Sequence, residues 1–172
     1  MKNVKFIATL LFYATRILAI GYILSALYAL LSLVTHWSYM TTDNDAYFAI
    51  CYPFTQLRFL LGENNWNYKI FEFFVPIGGY GIFFYLVSNV FSAFKQPRLF
   101  TAFGVTHLKR FCLANTFVPL GIIILALLLT GNVVEGLEWA AVIHFFMGVF
   151  AYFLYAIFKQ GVDLQNEQDL YI

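Results

Sequence analysis

Four long apolar segments set the pattern of this chain, and more polar stretches, one of them long, separate them. They span about 6–34, 73–94, 111–130 and 139–158. A hydrocarbon core about 30 Å thick is crossed by ~20 residues of helix, and each segment has that length. Barrel strands would alternate apolar and polar residues, whereas Ile122 to Leu129 is continuously apolar. The pattern predicts an all-α integral membrane bundle of four transmembrane helices, forming a single domain over residues 1–172.

The first apolar segment follows a basic start, Met1 to Lys5, which is typical of a secretion signal. Its apolar run is much longer than the ~7–15 residues of a signal core. We therefore expect a retained first helix.

Three segments lie between or beyond the helices: an outer loop over 36–72, an inner loop over 95–110 and a tail over 159–172. In the outer loop, Phe54, Leu57, Leu60 and Leu61 have helical spacing, and Gly62 begins a helix-stop pattern. This predicts a short surface helix from about Pro53 to Leu61, with a ligand-binding lid as the alternative. The end of the inner loop reads as a basic amphipathic entry to the third helix, either held by anionic lipid headgroups or offered to a partner.

Composition and charge then narrow the class of protein. The chain is 62% hydrophobic and 11% charged, against roughly 25% charged residues in a soluble domain. So few charges cannot form a polar shell, and the lipid bilayer must cover much of the surface. The formal net charge of +1 argues against nucleic acid as a direct partner.

The distribution of basic residues indicates the orientation. Seven lie in the N-terminus, the inner loop and the tail: Lys2, Lys5, Lys95, Arg98, Lys109, Arg110 and Lys159. The outer loop has two, Arg58 and Lys69, and residues 131–138 have none. Basic loops stay in the cytoplasm, so both termini and the inner loop are expected there. The three tryptophans, at positions 37, 66 and 139, would form an interfacial belt at the opposite surface.

Four polar side chains within the spans are the candidates for chemistry inside the membrane: Arg16, Asn89, Asn115 and His144. Arg16 either extends towards the interface or pairs with Asn89 or Asn115. His144 shares a helix face with Gly148, Tyr152 and Tyr155. This row predicts a hydrogen-bonded core histidine, with proton relay or metal ligation as the alternatives.

No catalytic, cofactor or metal site is predicted. The other two histidines, His36 and His107, fall at opposite membrane surfaces, which argues against a metal cluster with His144. Every Asp and Glu lies in a loop, in the tail or at a helix end, so there is no intramembrane carboxylate pair. Cys51 in the outer loop and Cys112 at the inner end of the third helix are expected about a membrane thickness apart. This is far beyond the ~6 Å between bridged Cα atoms, so a disulfide between them is excluded. The glycine run at 78, 79 and 81 lacks the Lys and the water-facing position of a phosphate-binding loop, so close helix packing through Gly81 and Ser88-x-x-x-Ser92 is predicted instead.

Two segments carry a resemblance. The first contains Phe91-x-x-Phe94, Leu99-Phe100 and Val105-x-x-Leu108-x-Arg110-Phe111, and the second is Phe158-x-x-Gly161 followed by Leu164-Gln165-Asn166-Glu167-Gln168-Asp169-Leu170-Tyr171-Ile172. They resemble a bacterial family of four-span membrane proteins of unknown function, which end in Leu-x-x-Glu-x-Asp-Leu-Thr-Val or Ile. Tyr171 replaces the usual Thr. The match runs from the second helix to the C-terminus, and the first helix and outer loop add no motif.

The resemblance implies a place in a bacterial inner membrane and a regulatory role. Genes of this family frequently neighbour an Xre-type helix-turn-helix regulator, which implies a membrane-bound partner or antagonist of that cytosolic regulator. The candidate partner surface comprises Arg98, Lys109, Arg110, Leu164, Glu167, Asp169 and Leu170. The tail is either a solvated terminus, folded against the basic loop, or offered to a partner. A transporter or channel component is the alternative function, and a membrane-embedded enzyme a third; a neighbouring ATPase gene would favour transport.

The topology is directly testable. A reporter fused to the C-terminus should be active only as a cytoplasmic fusion. Cys51 should react with an impermeant thiol reagent in intact spheroplasts, or at least lie outside the bilayer core. A periplasmic C-terminus would contradict the orientation and the partner surface together.

Overall fold

The computed structural model describes residues 2–42, 44–132 and 135–169. Its elements are α1 (Lys2–Thr35), β1 (Tyr39–Thr42), β2 (Tyr47–Cys51), β3 (Arg58–Glu63), a π-helical turn (Tyr68–Phe74), α2 (Val75–Phe94), α3 (Ala102–Thr130) and α4 (Leu137–Asp169). Four helical segments are long and apolar enough to cross a membrane: Asn3–Thr35, Tyr68–Phe94, Ala102–Thr130 and Leu137–Asp169. The predicted fold class, an all-α bundle of four transmembrane helices, is confirmed.

The chain forms two compact units, which are described separately. Residues 1–17 and 84–172 form one, here called the helical unit. Residues 18–83 form the other, here called the sheet unit because it contains the three strands.

In the helical unit, α3 begins before its expected span and ends with it at Thr130, whereas α4 extends beyond its expected span at both ends. The α3 helix starts at Ala102 because the Thr101 hydroxyl caps it, accepting a hydrogen bond from the Gly104 N–H at 3.1 Å. The basic entry to the third helix is therefore the first turns of α3 itself. The α3 helix ends at Thr130 and is capped by Gly131, whose φ of 73° lies in the left-handed region that glycine adopts most easily. Since no proline follows residue 158, α4 continues to Asp169, and this part of the predicted tail is helical.

Small residues hold α3 and α4 together as an antiparallel pair. The buried positions are Gly104, Leu108, Phe111, Asn115 and Ala126 on α3, and Ala141, Gly148, Ala151 and Phe158 on α4. Lipid tails are as apolar as leucine, so close packing has to replace the hydrophobic drive between the helices. At Gly148, an added Cβ would lie 3.3 Å from the Thr116 backbone nitrogen and 3.4 Å from the Cys112 carbonyl oxygen.

The sheet unit contains an antiparallel sheet in the order β1-β2-β3. The middle strand pairs Ile50 with Tyr39 on one side and Ala49 with Leu61 on the other. Phe48 and Ile50 pack with Ala29 of α1 and Phe73 of the π-helical turn in a buried cluster. The Tyr28 hydroxyl donates a 2.5 Å hydrogen bond to the Cys51 carbonyl, which ties α1 to β2.

The predicted surface helix from Pro53 to Leu61 is wrong, because this segment forms a turn and most of β3. Phe54 has a φ of 61°, outside the helical region. The aromatic and β-branched residues of β2 offer a strand partner, and pairing with it satisfies the backbone groups of residues 58–63 that face β2. The helical spacing of the leucines is therefore incidental.

Helix α2 approaches α1 closely at Gly81, as its glycine content indicated. An added Cβ on Gly81 would lie 3.2 Å from the Ile23 backbone nitrogen. Gly78 and Gly79 have open space at the Cβ position, so the close approach depends on Gly81.

Cys51 needs a correction, because its side chain is only 3% exposed within the sheet unit. The expected reaction with an impermeant thiol reagent therefore requires the sheet to open, whatever side of the membrane it occupies.

The three tryptophans do lie at helix ends: Trp37 follows α1, Trp66 precedes the π-helical turn and Trp139 lies in the first turn of α4.

The packing of α3 on α4 can be tested with two glycines. Gly148→Ala should destabilise the protein by about 1–3 kcal/mol, because the Thr116 hydroxyl of α3 occupies the place of the new methyl group and the nearby α3 backbone limits any adjustment. Gly121→Ala is the matched control, since nothing lies within 4 Å of its Cβ position, and the better helix propensity of alanine should make it neutral or stabilising. Thermal unfolding in detergent measures both, and equal effects would contradict the close packing at Gly148.

Candidate functional site

The loop between α2 and α3 packs against the last turns of α4. The Phe100 ring occupies the place where a Cβ on Gly161 would project, so only glycine permits this approach. Phe158 stands edge-on to both Phe94 and Phe100, with ring centroids 5.3 and 5.4 Å apart, respectively. An added Cβ on Gly104 would also lie 3.1 Å from the Phe158 ring. These aromatic contacts fix the loop on the helix end.

Above these rings lies an open groove of about 440 Å³, here called the junction groove. Its lining residues are Arg98, Leu99, Phe100, Gln165, Gln168 and Asp169. Arg98 Nη1 and Asp169 Oδ2 form an ion pair at 3.6 Å, and their side chains are 73% and 63% exposed. Pairs this exposed contribute only ~0–1 kcal/mol, so this one opens easily. The groove thus combines a fixed apolar floor with two amides and two exchangeable charges.

The structure brings together only some of the predicted partner residues. Arg98 and Asp169 meet in the junction groove, whereas Lys109, Arg110 and Glu167 are exposed and form no ion pair within residues 2–42, 44–132 and 135–169. Leu164 is 60% exposed on α4. Leu170 lies outside the described residues. Of the predicted partner residues within the described part of the chain, Arg98 and Asp169 are therefore the two that meet in the groove.

Sequence reasoning missed the two glutamines and the role of the loop aromatics. Gln168 and Asp169 lie three and four residues after Gln165, which puts all three on one face of a helix. The sequence predicts this shared face only when the tail is treated as a helix. Phe100 and Gly161 belong to the two quoted motifs, but their contact joins residues 61 positions apart in the sequence.

Arg16 lies in the helical unit and bonds to α2. Its Nη2 donates a hydrogen bond to the Asn89 Oδ1 at 2.9 Å. Of the two partners predicted from the sequence, Asn89 and Asn115, Arg16 therefore bonds to Asn89. The guanidinium carbon also lies 4.5 Å from the Tyr85 ring centroid and 5.2 Å from that of Phe12. Contacts of this kind partly replace water around a cation.

Asn115 instead pairs with His144. The His144 Nδ1 and the Asn115 Oδ1 are 2.7 Å apart, and the Asn115 amide donates to the Phe111 carbonyl at 2.8 Å. Asn115 is buried and His144 half-buried, as a hydrogen-bonded core histidine requires. The predicted inward row needs one correction, because Tyr152 is 55% exposed and the buried Ala151 takes its place on the packed face.

The described part of the chain contains no group of three or more His, Cys, Asp or Glu side chains able to hold a metal ion.

The chain matches no family model, no curated protein and no solved structure.

The Asn115–His144 pair generates a prediction about stability. His144→Leu should destabilise the bundle by about 1–3 kcal/mol, because the buried Asn115 carbonyl oxygen loses its partner. His144→Gln should be milder, since an amide N–H can replace the imidazole donor. Thermal unfolding in detergent compares them. Negligible effects from both substitutions would show that the pair contributes nothing to the packing of α3 on α4.

Proposed function

We propose that this chain is a membrane-bound docking protein whose junction groove holds a small cytosolic regulator of the helix-turn-helix type. The observation that carries the proposal is the groove itself. Two segments about 60 residues apart in sequence meet there. They are also the segments that resemble the bacterial family encoded beside Xre-type regulators.

The groove has the properties that a reversible docking site needs. Its floor is held by the contact of Phe100 with Gly161 and by the packing of Phe158, so it is formed before a partner arrives. The exposed ion pair above the floor costs little to open. A partner can therefore take over both charges while its apolar side chains contact Leu99 and Phe100, which would be the anchors of the interface.

The distribution of charge supports a cytoplasmic position for this groove. The α2–α3 loop, the start of α3 and the N-terminus hold six of the ten basic residues, whereas the segment between α1 and α2 holds two. The positive-inside rule therefore supports our proposal that both termini and the groove lie on the cytoplasmic side of the inner membrane. A regulator in the cytosol would have direct access to it.

The chemistry of the groove suits the end of a small helix. Gln165 and Gln168 each offer an amide donor and acceptor, which match side chains or free backbone groups at a helix terminus. Asp169 can accept from a basic side chain and Arg98 can donate to an acidic one. Regulators that bind DNA carry basic helices, so we assign Asp169 the main electrostatic role.

The test is whether the full-length chain in detergent captures an Xre-type regulator, whose gene the resemblance leads us to expect beside that of this chain. The double variant Gln165→Lys/Gln168→Lys and the single variant Asp169→Lys should each weaken capture about tenfold or more, because they place positive charge in the groove. The loss should be greater at low salt, where repulsion is less screened.

Asn166→Lys is the matched control, because Asn166 is exposed in the same helical turn and does not line the groove. It adds the same positive charge as one of the two Gln→Lys replacements and should leave capture unchanged. Thermal unfolding should confirm that all variants remain folded. If the groove variants retain the regulator as well as Asn166→Lys does, the docking proposal fails.

A further inference from the structure

Three basic side chains gather where α1 faces the end of α2 in the helical unit. Lys95 Nζ lies 3.9 Å from the Phe12 ring centroid and 5.0 Å from that of Tyr13. Arg16 contacts the same Phe12 ring from one turn further along α1. Lys5 Nζ reaches the Pro97 carbonyl oxygen at 3.5 Å. Two cations thus share one aromatic ring, and a third lies towards the N-terminus of the same helix.

This cluster has no acidic counter-ion of its own. Helices α1, α2 and α3 contain no Asp or Glu, and within the described residues none of the three cations forms an ion pair. Arg16 has a neutral partner, Asn89, which leaves its charge uncompensated. A cation near hydrocarbon without a counter-charge is costly, and such residues usually pair with an anion. An anion from outside the chain can supply the missing negative charge.

The depth of the cluster matches the headgroup region of a bilayer. Lys95 immediately follows α2, and Asn89 lies six residues earlier, which is about 9 Å along the helix axis. Each headgroup region is about 5–8 Å thick. Arg16 therefore lies just below the headgroups if Lys95 lies among them, within the range that a long side chain spans by extending towards the interface.

The rings around the cations suit the same environment. Tyr13 and Tyr85 are 58% and 45% exposed, so their hydroxyl ends can face the interface while the rings cover the side-chain stems. Leu10 and Ile17, on either side of Phe12 in α1, are exposed apolar residues. An acyl chain can lie along them while its headgroup meets the cations.

We propose that Arg16 and Lys95, assisted by Lys5, form a binding site for the phosphate group of an anionic phospholipid. The lipid supplies the counter-charge that the helices lack, and Arg16 donates the hydrogen bonds that orient the phosphate. Asn89 and Tyr85 hold the guanidinium in place from the α2 side. This site is independent of the junction groove and of any partner bound there.

The experiment uses the full-length chain, freed of lipid in a mild detergent, with native mass spectrometry to count bound molecules. Phosphatidylglycerol should be retained in preference to phosphatidylcholine. Lys95→Met keeps the apolar stem against Phe12 and removes the charge, and it should weaken retention about fivefold. Arg16→Gln removes a charged donor and should weaken it about tenfold or more, whereas Arg16→Lys should retain part of the binding.

Lys109→Met is the matched control, because Lys109 is an exposed basic residue of α3 outside the cluster. It should leave retention within twofold of the parent protein. Equal losses of lipid retention in Lys109→Met and Lys95→Met would mean that any surface cation attracts the anionic lipid, and this result would overturn the site. Unchanged retention in both Arg16→Gln and Lys95→Met would overturn it as well.

A separate arm distinguishes the source of the phosphate. Inorganic phosphate, added at the concentration that saturates with phosphatidylglycerol, should not raise the unfolding temperature, because it lacks acyl chains to lie along α1. An increase that matches the lipid and disappears in Arg16→Gln would support the phosphate site and assign it to a soluble anion. No increase with either ligand would contradict the proposal.

Discussion

Hydrocarbon offers no hydrogen bonds, and this constraint determines most of the structure. Every backbone N–H and C=O group within the membrane must find its partner inside the chain, and a continuous helix satisfies nearly all of them locally. The chain accordingly places most of its residues in four long helices. Large apolar side chains such as Leu128 and Phe146, 78% and 67% exposed, then face lipid at no cost.

Because apolar side chains are equally satisfied by lipid and by protein, they do not determine which helices pair. Small residues take that role by letting backbones approach, at Gly148 between α4 and α3 and at Gly81 between α2 and α1. The polar pairs add register, since Arg16 meets Asn89 and Asn115 meets His144 at one helical alignment. Interhelical hydrogen bonds in membranes contribute only about 0.6 kcal/mol on average, so their effect is on alignment more than on stability.

The same division between firm packing and labile charge recurs at the end of α4. Phe94, Phe100 and Phe158 form a fixed aromatic base, which depends on glycine at 104 and 161. The Arg98–Asp169 pair above it is exposed to water, where ion pairs exchange readily. At the α1–α2 cluster the balance is reversed: Arg16 and Lys95 are held by aromatic rings, and their charge is left for an external anion.

The sequence by itself determined the membrane class, the number of helices and their apolar centres, because a continuous apolar run of about 20 residues has few other folds available. It also identified Asn89 as one of two partners for Arg16 and His144 as a packed histidine. Only the tertiary structure decided that residues 58–63 form a strand, since strand pairing depends on β2 and not on local spacing. It likewise decided that Phe100 covers Gly161 and that Gln165 and Gln168 line a groove, because these contacts join residues distant in the chain. The local pattern of apolar and polar residues determines whether a segment is stable in lipid or in water. Contact between distant segments depends instead on the packing of the whole chain.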